Sequence, residues 1–343
     1  MKTKLFIFSF VLFTIGKLSA HVITVSNNAI TAGHFTAIQT AADSANIGDT
    51  IYVMGSPTDY GNVTLRTMVT LMGAGYAVTG TQYNYASIVD NIYIDSVSFG
   101  NPVSGTKVLG MDVTSNLDYS GTGNINNIDI ERCYVSSWIY VNGHNWTVRN
   151  CIINSGIQVQ SNGYIYVQNN FIGQIQYSNQ TTVIFDHNNF VIQNGSICYQ
   201  VSNALFTNNV FYYSNPTGGT NETNCTFSNN ITSASAAINL NAYAGNTGSG
   251  NIFSTPPGWT DATIPGSTVG ATSIWNYKWT FKPSSLAHNA ATDGSDIGAY
   301  GGSYPMPNLT GATRIPQMIL MNISGVAPAG GNLNVNFKAK IQN

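Results

Sequence analysis

The sequence predicts an all-β chain: a single-stranded parallel β-helix solenoid with an N-terminal capping helix and an internal asparagine ladder. Three observations predict it. A short motif recurs at a nearly fixed interval, each copy alternates as strands do, and nothing between copies could form a crossover helix. The motif is VQNNF (167–171). It returns as FDHNNF (185–190), FTNNV (206–210) and FSNNI (227–231), and earlier as VRNCI (148–152) and IERCY (130–134).

Aligned on the second residue of each pair, the copies give Cys133, Cys151, Asn170, Asn189, Asn209 and Asn230, at intervals of 18, 19, 19, 20 and 21 residues. A period near twenty is that of a solenoid, in which each repeat buries its apolar face against its neighbours. Ile165 and Val167 flank Tyr166, and Cys225 and Phe227 flank Thr226, so the strand period of two is kept. Without a crossover helix, the chain must coil directly from one strand to its parallel neighbour.

Stacking accounts for the asparagines. Coils rise by about 4.8 Å, so equivalent residues form columns in which each amide can bond those above and below. Val167 then fills the core and Asn170 stitches the coils, with Cys133 and Cys151 as the first two rungs. Their parallel Cβ vectors, about 4.8 Å apart, favour two buried thiols over a disulfide, for which about 3.5–4.5 Å is usual.

A solenoid needs its open end covered. Phe35, Ile38, Ala41, Ala42 and Ala45 fall at helical spacing ahead of Gly48, which predicts a short amphipathic cap. GDTIYV (48–53) and VTLMGAGY (69–76) follow as strands of the first coil. Past Tyr304, Pro305, Pro307 and Pro316 mark a linker before two strand-like runs, Gln317–Ile323 and Asn332–Ile341, read as a hairpin. The division is therefore 1–20, 21–304 and 305–343.

Residues 1–20 read as a secretory signal peptide. Lys2 and Lys4 precede an apolar run from Leu5 to Ile15, too short to span a bilayer, and cleavage is expected near Ala20. No other segment reads as a membrane span, so the expected location is secreted or at the extracellular surface. Charged residues make up 8% of the chain, against roughly a quarter in an average soluble domain. The net charge of −2 comes with no basic run, which excludes nucleic acid as a partner. Four cysteines without CxxC spacing predict neither a disulfide scaffold nor a thiolate zinc site, and no cofactor is expected.

The passage FTAIQTAADSANIGDTIYVMGSPTDYGNVTL (35–65) resembles the opening of right-handed parallel β-helix proteins of the pectin-lyase-like superfamily. WTFKPSSLAHNAATDGSDIGAYGG (279–302) resembles the last coil of many secreted bacterial members. That resemblance implies a right-handed solenoid and, for function, polysaccharide lyases, which hold Ca²⁺ in an acidic cluster and use Arg or Lys as base, or glycoside hydrolases. Neither pattern is complete here. Asp90 and Asp95 are an odd number of residues apart, which within one strand sets them on opposite faces. Asp112, Asp118 and Asp129 are scattered and read as turn caps, Arg314-Ile315-Pro316 lies in the linker, and Gly143-His144-Asn145 has no aspartate pair beside it.

Two groups of candidate site residues remain. The position before each pair runs Glu131, Arg149, Gln168, His187, Thr207, Ser228, with Asp186 beside His187 at an expected bulge. Glu131, Arg149, His187 and Asp186 are the catalytic candidates, set against a surface Glu131–Arg149 ion pair. Tyr134, Trp138, Tyr140, Trp146, Tyr164, Tyr166 and Gln168 are the carbohydrate-binding candidates, since aromatic faces can stack on sugar rings. Trp259, Trp275, Tyr277 and Trp279 are expected to seal the last coils. The function expected is a non-catalytic carbohydrate-binding or cell-surface adhesion module whose partner is a polysaccharide or cell-surface glycan. The alternative is a polysaccharide-degrading enzyme, a lyase before a hydrolase, with Ca²⁺ required only then. The particular glycan and the oligomeric state stay open.

Overall fold

The computed structural model describes residues 20–76, 85–95, 103–120, 123–160, 164–177, 183–193, 195–217, 222–233, 245–307, 317–323 and 335–340. The expected signal peptide lies outside the described residues apart from Ala20. The chain is an all-β parallel solenoid. One 11-stranded sheet takes a strand from each coil, beginning with Val22–Val25, Thr50–Val53 and Thr70–Gly73. Because Thr50 pairs with Thr70 in register, GDTIYV and VTLM belong to successive coils, not to one. A 13-stranded sheet closes the opposite side.

Alternation decides what fills the interior. Val148, Val167, Phe185, Phe206 and Phe227 stand in one inward column in unbroken register, and all are fully buried. The last three stack face to face with ring centroids 5.0 and 4.8 Å apart. Phe190 and Phe211 form a parallel stack at 5.0 Å. The coil rise sets this spacing, so the aromatic contacts and the strand hydrogen bonds reinforce one another.

The helix forms over Ile38–Ser44, with Ile38, Ala41 and Ala42 buried at i, i+3, i+4. It is shorter than the expected span, ending at Ser44 four residues before Gly48. Gln39 Nε2 donates to Thr64 O at 3.1 Å, and Thr64 N donates to Gln39 Oε1 at 2.8 Å. One side-chain amide thus satisfies the edge strand Val63–Leu65, which would otherwise present an open edge.

The Asn pairs do two different things. The second member lies inside. Asn170 N donates to Asn188 Oδ1, Asn188 N to Asn209 Oδ1, Asn209 N to Asn230 Oδ1 and Asn230 N to Asn251 Oδ1, all at 2.8–3.0 Å. Each Nδ2 also meets the next Oδ1 and a main-chain carbonyl of the coil before. The rung in FDHNNF is therefore Asn188, not Asn189. Asn189 occupies the place of Phe171 in the neighbouring strand, and the register through Asp186 shows no bulge. Cys133 and Cys151 hold the lower rungs as free buried thiols, with Cys133 N 3.4 Å from Cys151 Sγ.

The first member turns the corner. Arg132, Asn150, Asn169, His187, Asn208 and Asn229 all have φ between 53° and 58°, and Gly110 and Gly250 share the region at 60° and 67°. This left-handed conformation favours Gly and Asn, whose short amide is tolerated there. Strand, left-handed corner, stacked amide, strand: that is the physical content of the motif.

Residues 279–302 do not form the expected last coil. They belong to an irregular strap, 259–306, on the outside of the solenoid: it runs back to Trp275 beside Tyr134, returns to pair Phe281 antiparallel with Trp259, and runs back again from Ala290 to Tyr304. Trp279 packs on Phe171 at 5.1 Å and Trp275 on Tyr134 at 5.8 Å, and Trp259 packs on Trp279 at 5.2 Å. The tryptophans cover a flank that Tyr134, Ile152, Phe171, Val210 and Ile231 would otherwise expose. Beyond the strap, Gln317–Ile323 pairs antiparallel with Val335–Lys340 as a hairpin.

Candidate functional site

The outward side chains of the left-handed column hold the strap. Asn229 Nδ2 donates to Ala290 O, Asn208 Nδ2 to Thr292 Oγ1, Asn169 Nδ2 to Ala299 O and Gly301 O, and Asn150 Nδ2 to Tyr304 O, at 2.7–3.2 Å. The strap descends one coil per handhold. Gly298 N donates to Asn208 O at 2.7 Å, and Ala299 N to Asn189 Oδ1 at 3.1 Å.

His187 occupies the same column, so it is not in the outward row that holds Arg149, Gln168 and Asp186. Its Nδ1 stands 2.9 Å from Asp186 Oδ1, and its Nε2 3.2 Å from Ser295 Oγ. Tyr166 OH and Asn208 Nδ2 both donate to Asp186 at 3.0 Å. Burial, together with the neighbouring Asp186 carboxylate, pushes the Tyr166 phenol well above its ordinary range. The order carboxylate, imidazole, hydroxyl is that of a nucleophilic relay. Yet the Ser295 hydroxyl donates to Asp293 Oδ1 at 2.6 Å and accepts Gly302 N–H at 2.7 Å, and His187 is 2% exposed. Hydrogen bonding to Ser295 also holds the Asp293 carboxyl below its usual range. With its proton committed to Asp293, Ser295 serves here as a clasp. The two glycines lie flat against the imidazole, for a Cβ on Gly301 would come within 2.8 Å of His187 Cδ2.

The remaining catalytic candidates form an ion-pair group. Glu131 sits 3.3 Å from both Arg149 Nη2 and Arg132 Nε, and the Arg149 guanidinium lies 4.9 Å over the Tyr304 ring. Glu131 and Asp186 are three coil rises apart, about 14 Å, well beyond the about 5–9.5 Å of paired glycosidase carboxylates. The calcium implied by a lyase resemblance does not fit either. Among the described residues no group of three or more His, Cys, Asp or Glu side chains is arranged to hold a metal ion. Asp95 faces Arg66 at 3.5 Å and Asp129 faces Lys107 at 3.4 Å. Asp90 and Asp95 are not on one strand, because pairing breaks between Val89 and Ile92.

The aromatic candidates divide. Trp146 is fully buried, with Nε1 donating to Ile125 O at 2.6 Å. Tyr134 lies beneath Trp275, and Gln168 is 5% exposed. These three are corrected to buried positions: alternation turns Trp146 inward, the strap covers Tyr134, and Gln168 is buried although it stands in the outward row. Tyr164 is exposed on the loop before the first-sheet strand Ile165–Gln168, and Tyr166 is held by Asp186.

Trp138 and Tyr140 face outward on the second sheet, and Tyr140 belongs to a row that the sequence did not reveal. Tyr93 pairs with Asp118, and one residue past the Ile139–Leu117 pair Tyr140 stands over Asp118. Tyr140 pairs with Gln158, Gln158 with Gln176, and Gln176 with Tyr199. All six are at least partly exposed. Tyr177 and Tyr199, both exposed, meet edge to face at 5.9 Å at the end of the row. Burial raises the Asp118 carboxyl, and burial and then Asp118 raise the Tyr140 phenol. Period-two alternation over Trp138–Val141 and Phe171–Gln176 could have revealed the row, had the short second-sheet strands been aligned as the Asn pairs were.

The class that fold and surface define is the parallel β-solenoid. No family model matches the chain, and no curated protein matches it in sequence. Among solved structures it is similar to a pectin methylesterase from Aspergillus niger. The identity is 15% and the TM-score 0.31, with 75% of this chain and 94% of that one covered. Among the described residues no helix is long and apolar enough to cross a membrane.

Proposed function

We propose that the protein is a non-catalytic carbohydrate-binding β-solenoid, exported after removal of residues 1–20 and acting as an extracellular or cell-surface module. The outward row Tyr93, Asp118, Tyr140, Gln158, Gln176, Tyr199 carries this reading. It offers one ring, amide or carboxylate per coil at a rise of about 4.8 Å, the size of one sugar residue. Aromatic faces take the C–H faces of sugars, and amides supply both donor and acceptor to hydroxyls. The His187 clasp bonds Ser295 and Asp186, and Arg149 pairs with Glu131 and lies over Tyr304, which supports a role in holding the strap and not in catalysis.

A glycan array probed with the full chain and with Tyr199→Ala tests the proposal. Binding to at least one polysaccharide, weakened in the variant, is the expected result. No binding to any glycan would remove it.

A further inference from the structure

We propose that the second-sheet row is built for an unbranched neutral glycan lying along the solenoid axis, and that it disfavours acidic sugars. This rests on the glycan-binding reading above and names its ligand class.

The row supplies three tyrosines, one aspartate and two glutamines in register across successive coils, so a chain laid along the axis meets one aromatic or hydrogen-bonding group at each step. Beside it, Trp138 is followed in register by Gly156 and Gln174. Gly156 has φ 152°, and a Cβ there would meet Gln174 O at 2.0 Å. That coil therefore carries no side chain between Trp138 and Gln174, because the Gln174 main chain fills the place where one would stand. Gln176 Nε2 donates to Gln174 Oε1 at 2.9 Å and Gln174 Nε2 to Ser196 O at 3.5 Å, which fixes the two amides as a pair; amides in general can donate to and accept from sugar hydroxyls.

Charge decides the class. The one ionisable carboxyl in the row is Asp118, flanked by Tyr93 and Tyr140, with Oδ1 accepting Tyr119 N–H at 2.7 Å. The row carries no lysine or arginine. The cation nearest in register, Arg66, already lies between Asp43 at 3.3 Å and Asp95 at 3.5 Å. A uronate along this path meets a like charge and no counter-charge, whereas the hydroxyls of a neutral sugar can donate to the Asp118 carboxyl.

Calorimetric titration of the full chain with soluble neutral glucan and xylan chains, and with polygalacturonate and alginate, tests the proposal at pH 7. The neutral chains should bind, Tyr140→Ala and Gln176→Ala should each weaken binding at least fivefold, and Asp118→Asn should raise the affinity for polygalacturonate. Tyr199→Ala, at an exposed position, provides a variant with little risk to folding. Tighter binding of the acidic polymers, unchanged by Asp118→Asn, would overturn the ligand class and leave glycan binding standing. Neutral binding that none of the three truncations alters would overturn the site. Failure of both polymer types to bind would remove the glycan-binding reading as well.

Discussion

Asn169 and Asn170 are chain neighbours whose side-chain amides work in opposite directions. Asn169 Nδ2 reaches outward to the carbonyls of Ala299 and Gly301. Asn170 Nδ2 reaches inward to Val148 O, Gln168 O and Asn188 Oδ1, while its own Oδ1 accepts Cys151 N–H. One residue stitches coil to coil, and the other ties the strap to the coil.

The two roles separate by mutation. Asn170→Ala strands buried polar groups on three coils and should cost about 3 kcal/mol in urea unfolding of the whole chain. Asn169→Gly keeps the left-handed corner, where glycine is unstrained, but drops both strap bonds. Its expected effect is faster proteolysis within 286–306 with little change in the global midpoint. Equal effects of both variants on the global midpoint would refute the division.

The Ser295 clasp makes a similar local prediction. Ser295→Ala removes the contacts to His187, Asp293 and Gly302. Amide exchange should quicken across residues 291–304, while protection over Ile165–Gln168 and Val183–Asp186 holds. Uniform loss of protection in both regions would mean that the strap and solenoid open as one unit.

Glu222 predicts a pH dependence. It is fully buried, no other residue among those described donates to its carboxyl oxygens, and burial pushes its pKa up to about 7. The folded pKa lies above the unfolded value of about 4.3, so stability is complete below that value. It is lost as pH rises toward 7, by an amount of order 3 kcal/mol. Asp112, raised by burial to about 6, adds a loss of the same sign. Urea midpoints of wild type should fall between pH 4.5 and 8, and the fall should be smaller in Glu222→Gln. Equal slopes in the two proteins would show that Glu222 is solvated.

The repeat was legible because each coil restates its own constraints locally: an inward Val or Phe, a left-handed corner, a stacked amide. The slip at FDHNNF has a physical source. Two adjacent asparagines each fit the rung, and only the inward stack of Phe185 on Phe206 selects Asn188. The strap was not legible, since its bonds join residues far apart, such as Asn169 with Ala299 and Asn150 with Tyr304. Local spacing carries no record of such contacts, so Trp275 and Trp279 passed for end caps. The outward tyrosine and glutamine row was written in strands as short as Cys198–Tyr199, too brief to show a period.

The lower rungs offer the sharpest test of the column. Cys151 Sγ lies 3.2 Å from Arg149 O and 3.7 Å from Ile130 O, the equivalents of the two carbonyls that Asn170 Nδ2 meets one coil on. Burial, and then the adjacent Cys133, raise the Cys151 thiol well above its ordinary value. The folded protein should therefore resist thiol reagents at both sites, and reductant should leave its unfolding midpoint unchanged. An asparagine at 151 would carry the amide column one coil further, with Oδ1 placed to accept Cys133 N–H and Nδ2 to serve both carbonyls. Cys151→Asn should accordingly match or exceed the wild-type urea midpoint, although it places a polar group in a buried site. A loss above about 1 kcal/mol would show that the column depends on features of Asn170 and its successors that this coil lacks.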